Sequence, residues 1–152
     1  MIKTSFAYDS SVCVLEFKDK ISMKECLESY ATEYEGSVES RVGYNFEYKG
    51  GSAFPKGTKY VIGYTAGDTH TKMHEMLHAK YFVSGEYRKQ INKLWSSLSS
   101  DDQNKITKVL YKFGYPKEVH LDEFQAYLLS EKNPERFFGI KFEKGVYKRL
   151  KS

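Results

Sequence analysis

The chain has 152 residues, 40% of them hydrophobic and 16% aromatic, with a formal net charge of +4. That is enough apolar material for one domain spanning 1–152 to bury a core without staples, and too little net charge for a disordered chain. The two cysteines, Cys13 and Cys26, lack C-x-x-C spacing, which excludes a disulfide framework or a zinc knuckle and reads as buried thiols in a reducing compartment. No run approaches the roughly 18 apolar residues of a membrane span, and the N-terminus lacks the layout of a secretory signal. The expectation is a soluble, intracellular and cytoplasmic protein with no membrane partner.

From Ile2 to Phe17 the pattern predicts a hairpin or two short strands around the Asp9-Ser10-Ser11 turn. Ser22 with Glu25 three residues on reads as a capping box. Met23, Cys26, Leu27, Tyr30 and Tyr34 then recur at helical steps up to Gly36, predicting a helix over about 23–35. Val42, Tyr44, Phe46 and Tyr48 alternate with polar residues, and Lys59 to Tyr64 follows the Gly50-Gly51 and Pro55-Lys56-Gly57 loop, so two further strands are expected.

Asp68 or Thr69 is placed to cap a helix over His70 to Ser84, with Gly85 where a C-terminal glycine belongs. Met73, Met76, Leu77 and Tyr81 supply an apolar side to lie under the sheet, and His70, His74 and His78 form a row on another face. Within this helix stands His74-Glu75-Met76-Leu77-His78, an H-E-x-x-H sequence. Histidines four residues apart on a helix lie one above the other, so both imidazoles can reach one metal ion with the intervening carboxylate beside them.

Two amphipathic helices come next. One carries Tyr87, Ile91, Leu94, Trp95 and Leu98. The other carries Ile106, Val109, Leu110 and Phe113, with Ser100 and Gln103 as its capping box and a stop at Gly114 and Pro116. Their stripes, and Tyr64 and Trp95 in particular, read as core. A last helix from Lys117 or Glu118 to Ser130 packs through Leu121, Phe124 and Leu128 and places His120, Glu123 and Tyr127 on another face. Asn133-Pro134 is expected to end the regular structure. Lys141, Lys144, Lys148, Arg149 and Lys151 against Glu143 then give a basic tail, a solvated terminus or the one route to nucleic acid.

A catalytic zinc takes three protein ligands and leaves a fourth position for water, so His74 and His78 need one more. Glu123, 45 residues past His78, is the choice. Asp122 and His120 are its rivals.

His74-Glu75-Met76-Leu77-His78 with the later Asp122-Glu123-Phe124-Gln125-Ala126-Tyr127 resembles the gluzincin zinc metallopeptidases over about a third of the chain. The resemblance implies an α+β, zincin-like fold in which helices pack on a small N-terminal mixed sheet. It further implies zinc ligands His74, His78 and Glu123, and Glu75 as general base to a zinc-bound water that attacks the peptide bond of a protein or peptide substrate. The oxyanion so formed needs a further donor, for which His120, Tyr127 and His70 are candidates. If Lys59 to Tyr64 were a sheet edge, it could pair with an extended substrate. The motif also resembles the SprT-like proteases, which act on DNA-linked proteins through a third histidine, here only His120. A zinc-binding interaction module of zincin fold without catalysis is the remaining alternative.

Overall fold

The computed structural model describes residues 2–30 and 42–151, so Tyr34 of the expected first helix and its expected stop at Gly36 lie outside the described residues. It is a mixed α+β structure with four strands and seven α-helices among these residues. They fall into two units, 1–79 and 80–152.

The first unit is built on a sheet of strands β1 (Ile2–Ala7), β2 (Val12–Phe17), β3 (Tyr44–Glu47) and β4 (Tyr60–Thr65), in the order β1-β2-β4-β3. β1 and β2 form the expected hairpin. Tyr8, Asp9 and Ser10 all take positive φ, a conformation that Asp9 tolerates and that is unusual for the bulky Tyr8, and Ser11 donates from both its amide and its hydroxyl to the Tyr8 carbonyl. β4 runs parallel to β2 and antiparallel to β3, so the sheet is mixed. β4 is therefore an interior strand. The expectation that Lys59 to Tyr64 could form a sheet edge is corrected: the edge on that side is β3. The reason is visible in burial, because Tyr60 through Tyr64 are all covered while β3 ends on exposed Glu47.

Side chains alternate across the sheet. Cys13, Leu15 and Phe17, with Tyr44, Phe46 and Val61, make a core with Met23 and Leu27 of helix α1 (Lys20–Leu27). Gly63 of β4 makes this packing possible, since a Cβ there would collide with Leu27 Cδ1. α1 starts three residues earlier than its expected start near Met23. Its cap is Asp19, whose carboxylate accepts from the Ser22 amide at 2.8 Å, so Ser22 lies inside the helix rather than capping it. A 3-10 turn, Glu28–Tyr30, follows.

β4 leads into helix α2 (Thr69–Val83) through a tight link. Asp68 caps it, accepting from the Thr71 amide at 3.1 Å. Its buried residues are Thr71, Glu75, His78 and Ala79, whereas Met73 is 44% exposed and Met76, Leu77 and Tyr81 are only half-buried. The expected apolar side is thus not the buried one. The helix instead buries a polar stripe at i, i+4 and i+7, Thr71, Glu75 and His78, the last two of which belong to the H-E-x-x-H sequence.

In the second unit, α3 (Gly85–Ser97) begins at Gly85, and Ser84 caps it by accepting from the Tyr87 amide at 3.1 Å. Gly85 therefore opens α3 and does not close α2. The α2 terminus is closed instead by Arg88, which donates to the Tyr81 and Phe82 carbonyls at 2.7 and 2.5 Å. α4 (Ser100–Lys112) is capped by Ser99, one residue before the expected Ser100, and ends at Gly114, φ 92°. After a 3-10 turn at Lys117–Val119 comes α5 (His120–Ser130).

Regular structure does not end at Asn133-Pro134. Asn133 accepts from the Arg136 amide and caps α6 (Pro134–Phe138), with proline in the first turn where its missing N–H costs nothing, and α7 (Val146–Lys151) follows. Phe124 is fully buried among Trp95, Phe138 and Phe142. Trp95 itself is half-buried, a wall of this core rather than its centre, while Tyr64 in the first unit is buried as expected and donates to Glu16 at 3.0 Å. Among the described residues, no helix is long and apolar enough to cross a membrane.

Candidate metal centre

α2 places His74 and His78 one turn apart with their Nε2 atoms 3.3 Å from each other, the rings inclined at 72°. His78 is 1% exposed and His74 half-buried. The ligand atoms of His74, His78 and Glu123 all lie within 4.8 Å of one another, a group that could hold a metal ion. No other such group of histidine, cysteine or carboxylate residues occurs among the described residues. No family model, curated protein or solved structure matches the chain. The chemistry of the donor set is therefore what speaks for the ion. Two imidazole nitrogens and one carboxylate oxygen suit a borderline divalent cation such as zinc, and the carboxylate offsets part of its charge.

Glu75, between the two histidines, is 5% exposed. Its position rests on two features of the first unit. Gly43, just before β3, has no side chain, and a Cβ there would stand 2.5 Å from Thr71 Cγ2 and 3.0 Å from Glu75 Cγ, so α2 can approach the sheet closely only because residue 43 is glycine. On β3, Asn45 Nδ2 donates to Glu75 Oε2 at 3.2 Å, and Tyr60 of β4 donates its hydroxyl to Asn45 Oδ1 at 2.5 Å.

A similar relay exists in the second unit. Tyr87 donates to Gln125 Oε1 at 2.7 Å, and Gln125 Nε2 donates to Asp122 Oδ1 at 3.0 Å. Gln125 is fully buried. Asp122, the rival ligand, is thus held by an amide and is absent from the three-residue group. Its charge is felt by Tyr81, whose hydroxyl is pushed up in pKa first by burial and then by this carboxylate, with Arg88 opposing.

His120, the other rival, is also outside the group. Its Nε2 lies 2.9 Å from the Tyr115 carbonyl, to which it can only donate, and its ring packs on Tyr111. In the neutral ring Nδ1 is then an acceptor, so His120 can donate elsewhere only as the imidazolium. Tyr127 shares a 2.9 Å hydroxyl contact with Tyr115 and stacks on Phe137 at 4.9 Å. His70 is exposed at the start of α2.

Reading the sequence identifies the three candidate ligands and Glu75 but misses Gly43, Asn45, Tyr60 and Gln125. Asn45 does occupy the polar phase of the Tyr44–Phe46 alternation, which marks the opposite face of the sheet. Nothing in that alternation says what the face meets.

Proposed function

We propose that this protein is a zinc-dependent metallopeptidase of zincin-like type, with His74, His78 and Glu123 as ligands and Glu75 as general base, acting on a protein or peptide substrate. The observation that carries this reading is the meeting of three donor atoms of the right kinds, contributed by an H-E-x-x-H helix and by the downstream glutamate. A divalent ion there supplies Lewis acidity, polarising a carbonyl and making water a stronger acid.

Glu75 takes the proton of the attacking water as the new carbon–oxygen bond forms. It then returns that proton to the amine as the carbon–nitrogen bond breaks, so one water and one peptide bond yield one acid and one amine. Its burial beside Asn45 keeps the base directed rather than solvated. For the oxyanion donor, Tyr127 offers a hydroxyl on the Glu123 helix, one turn beyond the ligand, in contact with the Tyr115 hydroxyl.

The deciding experiment is metal analysis of purified protein followed by hydrolysis of an unfolded protein and a peptide library. One zinc per chain is expected, with activity lost by about 10²–10⁴-fold in Glu75→Gln while zinc is retained. Absence of stoichiometric zinc, or full activity in Glu75→Gln, overturns the reading. Zinc without any hydrolysis would mark a binding module instead, and salt-sensitive DNA binding would move the substrate class toward DNA-linked proteins.

A further inference from the structure

We infer that Asn45, oriented by Tyr60, is a positioning residue that sets the Glu75 carboxylate for proton transfer. The inference rests on the peptidase reading above and adds to it the part played by the sheet.

An ionised carboxylate only accepts, so the Asn45 group facing Glu75 Oε2 must be the NH₂. The amide oxygen then faces Tyr60, and a carbonyl oxygen only accepts, so Tyr60 must donate. The chain Tyr60 to Asn45 to Glu75 therefore has a single polarity, and the amide cannot flip without placing acceptor against acceptor at one end.

Sheet geometry fixes both upstream members. Asn45 stands opposite Ile62 in the antiparallel β3–β4 pair, and Tyr60 is two residues along on the same face, the diagonal neighbour position. Tyr60 is 6% exposed, so its ring is clamped by packing and its hydroxyl delivered to a fixed place. Glu75 has three side-chain torsions of its own. With one carboxylate oxygen tied to the sheet, the other is directed by the same rotation, and a general base must be held within hydrogen-bond reach of the proton it takes. Removing the tie takes away the contact that aims the base from the sheet side.

The test uses the zinc-loaded full chain, a fluorescently quenched unfolded casein as substrate, and zinc affinity measured by chelator competition. Asn45→Ala is expected to lower kcat about tenfold or more, with KM and zinc affinity each within about twofold. Asn45→Asp keeps the shape but sets a carboxylate oxygen against Glu75, so it is expected to be worse than alanine. A merely structural role predicts the opposite order, since the isostere preserves packing. Tyr60→Phe keeps the ring and removes only the hydroxyl, which gives a variant that folds and is expected to lose about three- to tenfold in kcat.

Normal kcat in the Asn45 variants, or losses matched by equal losses of zinc affinity, would overturn the inference while leaving the peptidase reading intact. If wild type hydrolyses nothing, or Glu75→Gln is fully active, the peptidase reading fails first and the positioning role falls with it.

Discussion

The Nε2 atoms of His74 and His78 stand 3.3 Å apart, the separation expected of two nitrogens that each lie about 2.0–2.1 Å from one tetrahedral ion. Zinc at a hundredfold excess over its Kd is expected to add about 2.7 kcal/mol of stability. In a chain of this size that raises Tm by about 5–10 °C. His78→Ala and Glu123→Ala are each expected to weaken zinc by at least about a hundredfold, measured by chelator competition, since even outer contacts to a metal site cost about 10–100-fold. Unchanged affinity in either variant would remove that residue from the ligand set.

Gly43 gives a second prediction, about close approach. Gly43→Ala puts a methyl 2.5 Å from Thr71 Cγ2, and overpacking of this kind costs about 1–3 kcal/mol. Thr71→Ser removes the Cγ2 carbon, so the double variant is expected to recover part of the lost stability in urea unfolding. Strict additivity of the two substitutions would show that the methyl is accommodated elsewhere. Gly63→Ala, which would collide with Leu27 Cδ1 on the α1 face, is expected to destabilise similarly but to leave zinc affinity unchanged.

Gln125 links Tyr87 to Asp122 with no exposure to solvent. Gln125→Leu fills a similar volume but offers neither donor nor acceptor. A loss of about 1–3 kcal/mol is expected for each polar group left without it. Tyr87→Phe in the Gln125→Leu background should then cost less than it does alone, a coupling readable by a double-mutant cycle in urea. Equal costs in both backgrounds would show that the Tyr87–Gln125 bond contributes nothing to stability.

Asp19 governs a pH effect at the start of α1. The Ser22 amide, and after it the Ser22 side chain, hold the Asp19 carboxyl below its ordinary pKa. A depressed folded value means the ionised cap stabilises the fold above the unfolded pKa of about 3.9, and that this contribution is lost as pH falls through the folded value. The stability gap between wild type and Asp19→Ala is expected to be full at neutral pH and to close in the acid limb. A gap that stays constant to pH 2 in urea titrations would dismiss the charged cap.

The hairpin and the strand order of appearance were legible because turn residues and alternation are local properties. Asp9 and Ser10 turn as expected, although the turn starts one residue early at Tyr8, and Tyr44 and Phe46 are buried on one side of β3. The buried face of α2 was not legible. Periodicity assigns burial to Met73 and Met76, but α2 buries Thr71, Glu75 and His78, so apolar pattern and burial part company there. Caps moved by one to three residues for a simpler reason: Asp19, Ser22, Ser99 and Ser100 are all competent caps, and only tertiary packing selects among them. The roles of Asn45 and Tyr60 were not legible, since Asn45 stands 30 residues from its partner Glu75 and 15 from its partner Tyr60.

The link between β4 and α2 carries an unstated constraint on how this chain can vary. Ala66, Asp68 and Thr69 are each bonded through their amides, to the carbonyls of Phe17, Thr65 and Gly67, and Gly67 turns at φ 85°. The connection has no slack. An extra residue taken up as helix would rotate everything after it by about 100°. His74, Glu75 and His78 would then point elsewhere while the helix itself stayed intact. The link acts as an angular index, tolerant of changes in residue type and intolerant of changes in length, and an insertion scan across 66–68 should abolish zinc binding without unfolding the sheet. The Gly50–Gly57 loop seats Phe54 in the core, but the exposed Lys56-Gly57 pair within it should accept the same insertions.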